Sequence, residues 1–163
     1  MRKKKEQEFE NLYAEYKDTV FCISLIYLRD YQLAEDATQE TFIKVLSKLK
    51  SLKDRSKAKA WVSKIAINIC RDKLRRASKR EIPSERLPED IAHSSHTDIR
   101  LTVGEAIGNL SPELREVVIL YYYQGFTQSE ISKLLGIPTT TVAYRLRISK
   151  AQLKDYLRRI YDD

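Results

Sequence analysis

Asp36, Gln39 and Glu40 stand at i, i+3 and i+4, a spacing that gathers two carboxylates and an amide on one face of a helix. Carboxylates so placed could share a divalent cation or divide the work of a general acid and base. Either chemistry needs more than this, because no His, Cys or third acid stands beside them at ligand spacing. The patch therefore reads as a polar face free to bind a partner. His93 and His96 could be taken for a metal pair, but they lie in a polar segment without further ligands, where solvated side chains are expected. No glycine-rich phosphate loop and no Ser/His/Asp arrangement in a recognisable context occurs. No metal or cofactor is expected, and no enzyme. A helical nuclease using Asp36 and Glu40 with a divalent ion is the remaining catalytic alternative, and it would cleave DNA only with metal present.

Two further constellations suit binding. Lys64, Asn68, Arg71 and Arg75 recur at i, i+4, i+7 and i+11, which draws one strip along a helix. Trp61 and Asp72 border it, while Val62, Ala66, Ile69, Cys70 and Leu74 point to the other side and can supply a core. Cations in a strip can follow a phosphate backbone, and an exposed amide can hydrogen-bond an unpaired base. A merely solvated basic face is the alternative. For Trp61, core is the better reading than base stacking, because an indole buries a large apolar area. The second constellation is the run Thr127 to Leu146. There a capped helix with Ile131, Leu134 and Leu135 breaks at Gly136-Ile137 and resumes as a second helix. The second helix puts Val142, Leu146, Ser149 and Leu153 on one face. Thr140, Tyr144 and Arg147 project from the opposite face, flanked by Thr139, Thr141 and Arg145. Such a helix-turn-helix can present hydroxyls and Arg to a DNA major groove. A helical hairpin that only packs would share the pattern; the basic residues towards the C-terminus favour DNA.

The elements that hold these residues are helical. Phe9, Leu12, Tyr13 and Tyr16 recur at helical spacing, and so do Phe42, Val45, Leu46 and Leu49. Glycine is absent before Gly104, and no strand-like alternation is sustained. Ser111-Pro112-Glu113 supplies an N-cap followed by Pro at the first helical position, and Gly125 can end that helix. Thr127-Gln128-Ser129-Glu130 makes a capping box for the next, and a third helix begins at about Pro138. An all-α fold is expected.

Charge divides the chain. Residues 43–80 hold 14 Lys or Arg against Asp54 and Asp72. Residues 81–98 hold five acids against Arg86, together with Pro83, Pro88 and both histidines, and read as an acidic, flexible linker. Two small helical domains follow, 9–77 and 99–161, joined by 78–98. The formal charge of +7 favours an acidic partner such as nucleic acid, with an anionic membrane surface as the alternative. The basic start, Met1 to Lys5, runs into Glu6, Glu8 and Glu10 without an apolar segment, so no signal peptide is expected. Thr19 to Leu28 is too short to span a bilayer, which takes roughly 20 apolar residues. Cys22 and Cys70 lack C-x-x-C spacing and suggest a reducing, cytoplasmic setting.

With these motifs in place, Leu33-Ala34-Glu35-Asp36-Ala37-Thr38-Gln39-Glu40-Thr41-Phe42 resembles region 2.2 of the extracytoplasmic-function sigma factors. Ala60 to Asn68, continued through Asp72 to Arg75-Arg76, is similar to their regions 2.3 and 2.4, and Leu110-Ser111-Pro112 through Arg145-Leu146 is similar to region 4. The resemblance implies a sigma-2 bundle and a sigma-4 helix-turn-helix domain. It also implies that Asp36, Gln39 and Glu40 face the beta-prime clamp helices of core RNA polymerase. By the same resemblance Lys64, Asn68, Arg71, Asp72, Arg75 and Arg76 meet the −10 promoter element. Thr139, Thr140, Thr141, Tyr144, Arg145 and Arg147 lie at the −35 element, with Arg147 or Arg145 as the direct reader. The resemblance further implies an anti-sigma factor, commonly membrane-anchored, that holds the chain inactive until an envelope stress, with no membrane insertion by the chain itself. Thr139-Thr140 replaces the acidic residue and Gly of many relatives, and Tyr144 a frequent Ser, so promoter sequence is not carried over. The competing reading is a stand-alone helix-turn-helix repressor or activator, which would leave the Asp36 face and the Lys64 to Arg75 strip without a purpose.

Overall fold

The computed structural model describes residues 2–80 and 95–162. Most of the expected linker, including Pro83, Pro88 and His93, lies outside the described residues. Contacts gather into two units, one up to residue 84 and one from residue 85. All regular structure among the described residues is helical, as periodicity without strand-like alternation requires.

The first unit is a three-helix bundle of α1 (Arg2–Leu28), α2 (Tyr31–Lys48) and α3 (Ala58–Arg80), each packed on the other two. Leu12, Val20, Ile23, Tyr27 and Leu28 line the buried side of α1, so the apolar stretch from Thr19 to Leu28 is core. Of the earlier aromatics, Phe9 and Tyr16 are half-buried, while Tyr13 lies largely outside and sets its ring edge-on to Phe42 at 4.8 Å. Arg29 takes a left-handed conformation at φ 54°, which ends α1. Asp30 Oδ1 then accepts from the Leu33 amide at 2.8 Å and starts α2. On α2, Phe42 and Val45 are buried and Leu49 follows in a 3-10 turn, Leu49–Ser51. Leu46 departs from the expected apolar stripe and is 41% exposed. It sits one residue past Val45, and the 100° helical step turns it out of the seam that α1 and α3 cover.

Helix α3 is buried over a wider arc than expected. Val62, Ala66, Ile69 and Cys70 are in the core, and Ser63, Ile65 and Ile67 join them. Leu74 and Trp61 are only half-buried, so the indole is not a full core residue. Packing against two helices at once explains the width: only a narrow strip of α3 is left to solvent.

The second unit comprises α4 (Ser95–Gly108), α5 (Pro112–Val118), α6 (Gln128–Leu135) and α7 (Thr139–Tyr161). Helix α3 reaches into one end of the segment expected to be linker and α4 into the other, so Ser95 and His96 fall in helix. Ser111 occupies the N-cap of α5 with Pro112 behind it, but its hydroxyl makes no capping bond; it is exposed, where water can meet the free amides. Arg115 closes the other side of that corner, donating to the carbonyls of Gly108 at 2.6 Å and Leu110 at 3.1 Å. Helix α5 runs on as a π-helical turn, Ile119–Tyr123, before Gly125 at φ 72° ends it. Val117, Val118, Ile119 and Leu120 are all buried, so α5 is the central rod that α4 and α7 cover.

Candidate functional site

The turn that aims α7 is built from three local devices. Thr127 Oγ1 accepts from the Glu130 amide at 3.2 Å while Glu130 Oε2 accepts from the Thr127 amide at 2.8 Å, which completes the expected capping box. Gly136 ends α6 at φ 68°, a left-handed conformation that costs other residues more. Ser132 Oγ donates to the Ile137 carbonyl at 2.6 Å and ties the turn to α6. Val142, Leu146 and Ser149 then bury one face of α7, with Leu153 half-buried beyond them. Ser149 meets its burial cost by donating to the Arg145 carbonyl at 2.7 Å.

On the other side of α7, Thr139, Thr140, Tyr144 and Arg147 are exposed, and Thr141 and Arg145 are half-buried. The two arginines are therefore not equivalent: Arg147 is exposed where Arg145 is half-buried, and its guanidinium lies over the Tyr144 ring. The N-terminal turn of α7, the part of such a helix that reaches base edges, carries the three threonines.

In the first unit Lys64, Asn68, Arg71, Arg75 and Arg76 are all exposed and Asp72 is half-buried. The strip is thus one continuous surface opposite the Ala66–Cys70 core. Arg75 Nη2 donates to Asp72 Oδ1 at 2.9 Å, an exposed pair of small stabilising value that a phosphate can replace. Lys50, Lys53 and Lys57 in the connection before α3, and Lys59 in its first turn, are exposed as well. Asp54 shapes that connection by accepting from the Ser56 hydroxyl at 2.7 Å and the Ser56 amide at 3.0 Å, bonds that pull its carboxyl below the ordinary value.

Asp36, Gln39 and Glu40 are exposed together on α2. Glu40 is not unpartnered: its Oε1 accepts from Lys73 Nζ at 2.7 Å, and the Lys73 side chain is only 12% exposed. The patch is thereby tied to the helix that carries the basic strip. Ile43, one turn on from Gln39 and Glu40, is 67% exposed, so the same face ends in an apolar side chain. Sequence reading missed it, although an apolar residue off the buried stripe of α2 was a signal. Among the described residues no three His, Cys, Asp or Glu side chains gather where they could hold a metal ion, and no helix is long and apolar enough to cross a membrane.

Two units of this kind, a helical bundle with one basic strip and a helix-turn-helix, are the parts of a Sigma-70 protein. Residues 12–80 match Sigma-70 region 2 and residues 100–153 match Sigma-70, region 4. Together the two matches cover most of the chain, which belongs to the Sigma-70 family of sigma factors and is similar to its extracytoplasmic-function members. It is 30% identical over 162 residues to the ECF RNA polymerase sigma factor SigE of Mycolicibacterium smegmatis, an alignment covering 91% of this chain and 61% of that protein. It is 25% identical over 176 residues to SigW of Bacillus subtilis, covering 97% and 93%. The chain spans 42% of a further relative, the probable sigma factor RfaY of Xanthomonas campestris. Two solved structures share the fold. The sigma factor RpoE in complex with the anti-sigma factor NepR, from Bartonella quintana, superposes with a TM-score of 0.78 at 21% identity, covering 93% of this chain and 98% of that one. CnrH in complex with the cytosolic domain of CnrY gives 0.69 at 22% identity, covering 94% and 90%.

Proposed function

We propose that this chain binds core RNA polymerase and directs transcription initiation at promoters that it recognises through a −10 and a −35 element. The observation that carries the reading is the pairing, on one chain, of the exposed Lys64–Asn68–Arg71–Arg75 strip with the exposed face of α7. A stand-alone repressor needs only the second. In this reading Lys64, Asn68, Arg71, Asp72, Arg75 and Arg76 serve the −10 element. The cations follow phosphates, and the Asn68 amide can bond a base drawn out of the stack. Thr139, Thr140, Thr141, Tyr144, Arg145 and Arg147 serve the −35 element in the major groove. Asp36, Gln39 and Glu40, with Ile43, form the contact to the beta-prime clamp helices, charged at one end and apolar at the other. The polymerase performs the chemistry. Residues 9–77 and 99–161 act as the two functional domains.

Of the solved structures named above, one is a complex with an anti-sigma factor and the other a complex with the cytosolic domain of CnrY. The first of these supports a matching anti-sigma factor here; its anchoring in the membrane, and its release of the chain on envelope stress, extend the proposal by the family resemblance alone. The function is tested by run-off transcription with bacterial core polymerase and pooled genomic promoter fragments. Transcripts that require this chain, vanish with Asp36→Arg and lose promoter selectivity with Arg147→Ala are expected. Tight, specific duplex binding by the chain alone, with no core binding and no transcripts, would favour the repressor or activator instead.

A further inference from the structure

Tyr144 and Arg147 lie three residues apart on α7, so their side chains rise from the same face. The guanidinium carbon of Arg147 stands 5.4 Å from the centroid of the Tyr144 ring, inside the ~6 Å reach of a cation–π contact. Tyr144 is 55% exposed, and both side chains point away from the Val142–Leu146–Ser149 core, so burial does not account for the aromatic at this position. Stacking engages the flat face of a guanidinium and leaves its in-plane N–H donors free along the edge. Those donors are the ones that match the N7 and O6 acceptors of a guanine in the major groove. An unsupported arginine gives up the rotamer freedom of a long stem when it binds. One already held against a ring gives up less.

Resting on the assignment of α7 to the −35 element, we infer that Tyr144 is a positioning residue for promoter specificity. Its ring holds the Arg147 guanidinium edge-on to one base pair of the groove. Specificity at that base then belongs to the pair, and the ring acts through the arginine.

The test uses full-length chain with core polymerase on a promoter that it transcribes, together with all single-base variants of the −35 element. Arg147→Ala is expected to erase the preference at one base. Tyr144→Ala and Tyr144→Leu should reduce the preference at that same base about two- to five-fold, the range an exposed cation–π contact supports. Tyr144→Phe and Tyr144→Trp should retain it, since both keep an aromatic face. In the Arg147→Ala background Tyr144→Ala should change the preference no further. Matched helical circular dichroism and thermal midpoints check that each variant keeps its fold. Additive effects of the two alanine variants would overturn the inference, and so would a loss with Tyr144→Phe as large as with Tyr144→Ala, which would assign the role to a direct hydroxyl contact. An Arg147→Ala variant that kept every base preference would do the same. If wild-type chain gives no promoter-specific transcripts, the sigma-factor reading itself fails, an outcome distinct from each of these.

Discussion

At the scale of single residues, environment decides which side chains keep the reactivity their type promises. Cys22 is half-buried, and burial pushes its thiol above the ordinary value, because a thiolate loses hydration there. Cys70 is fully buried, with its sulfur 3.6 Å from Ser24 Oγ. The thiolate fraction of Cys22 at neutral pH lies below that of a free cysteine and grows as pH climbs toward the raised value. Alkylation of native chain by iodoacetamide, followed by mass spectrometry, should therefore be slow at Cys22, faster at higher pH, and absent at Cys70 until denaturant is added. Rapid labelling of Cys70 in native chain would contradict the packing of α1 on α3. Glu40 makes the same point about carboxylates: the spacing that puts it beside Asp36 is local, whereas the lysine that holds it is 33 residues away.

At the scale of elements, the helix-turn-helix rests on a cap and a glycine that can be tested separately. Thr127→Ala removes one half of the capping box and should cost about 1 kcal/mol, while Thr127→Ser should cost little. No heavy atom lies within 4 Å of where a Cβ on Gly136 would stand. The penalty for Gly136→Ala is therefore conformational, about 1–2 kcal/mol for the left-handed region, and Gly136→Asn should recover part of it. Urea unfolding followed by circular dichroism measures both. These devices were legible in advance, because a cap, a C-terminal glycine and an apolar period each involve residues within one or two turns. Element faces were less so. Leu46 shares the apolar character of Val45 but not its direction, and Trp61 stops half-way to the core; both depend on how much of each helix its neighbours cover.

At the scale of the whole molecule, two basic surfaces on one chain predict how binding should respond to salt. Each Lys or Arg that neutralises a phosphate releases a counterion, so the logarithm of affinity falls linearly with the logarithm of salt concentration. In complexes of the chain with core polymerase and promoter DNA, Lys64→Ala and Arg71→Ala should each lower the steepness of that dependence by about one while leaving −35 base preference intact. Arg147→Ala should change base preference as well. The slopes are read from filter binding across a salt series. An unchanged slope for both α3 variants would remove the strip from the DNA interface.

Residue order alone determined the helical class, the capping box at Thr127, the break at Gly136, the alternation of basic strip and core along α3, and the grouping of Asp36, Gln39 and Glu40. Each follows from chemistry between near neighbours in the chain, where helical geometry turns spacing directly into position. Tertiary structure decided the rest. It joined Glu40 to Lys73, left Ile43 outside the core, and separated an exposed Arg147 from a half-buried Arg145. Those outcomes depend on which helix covers which face, and that is settled only when residues far apart in sequence compete for the same buried surface.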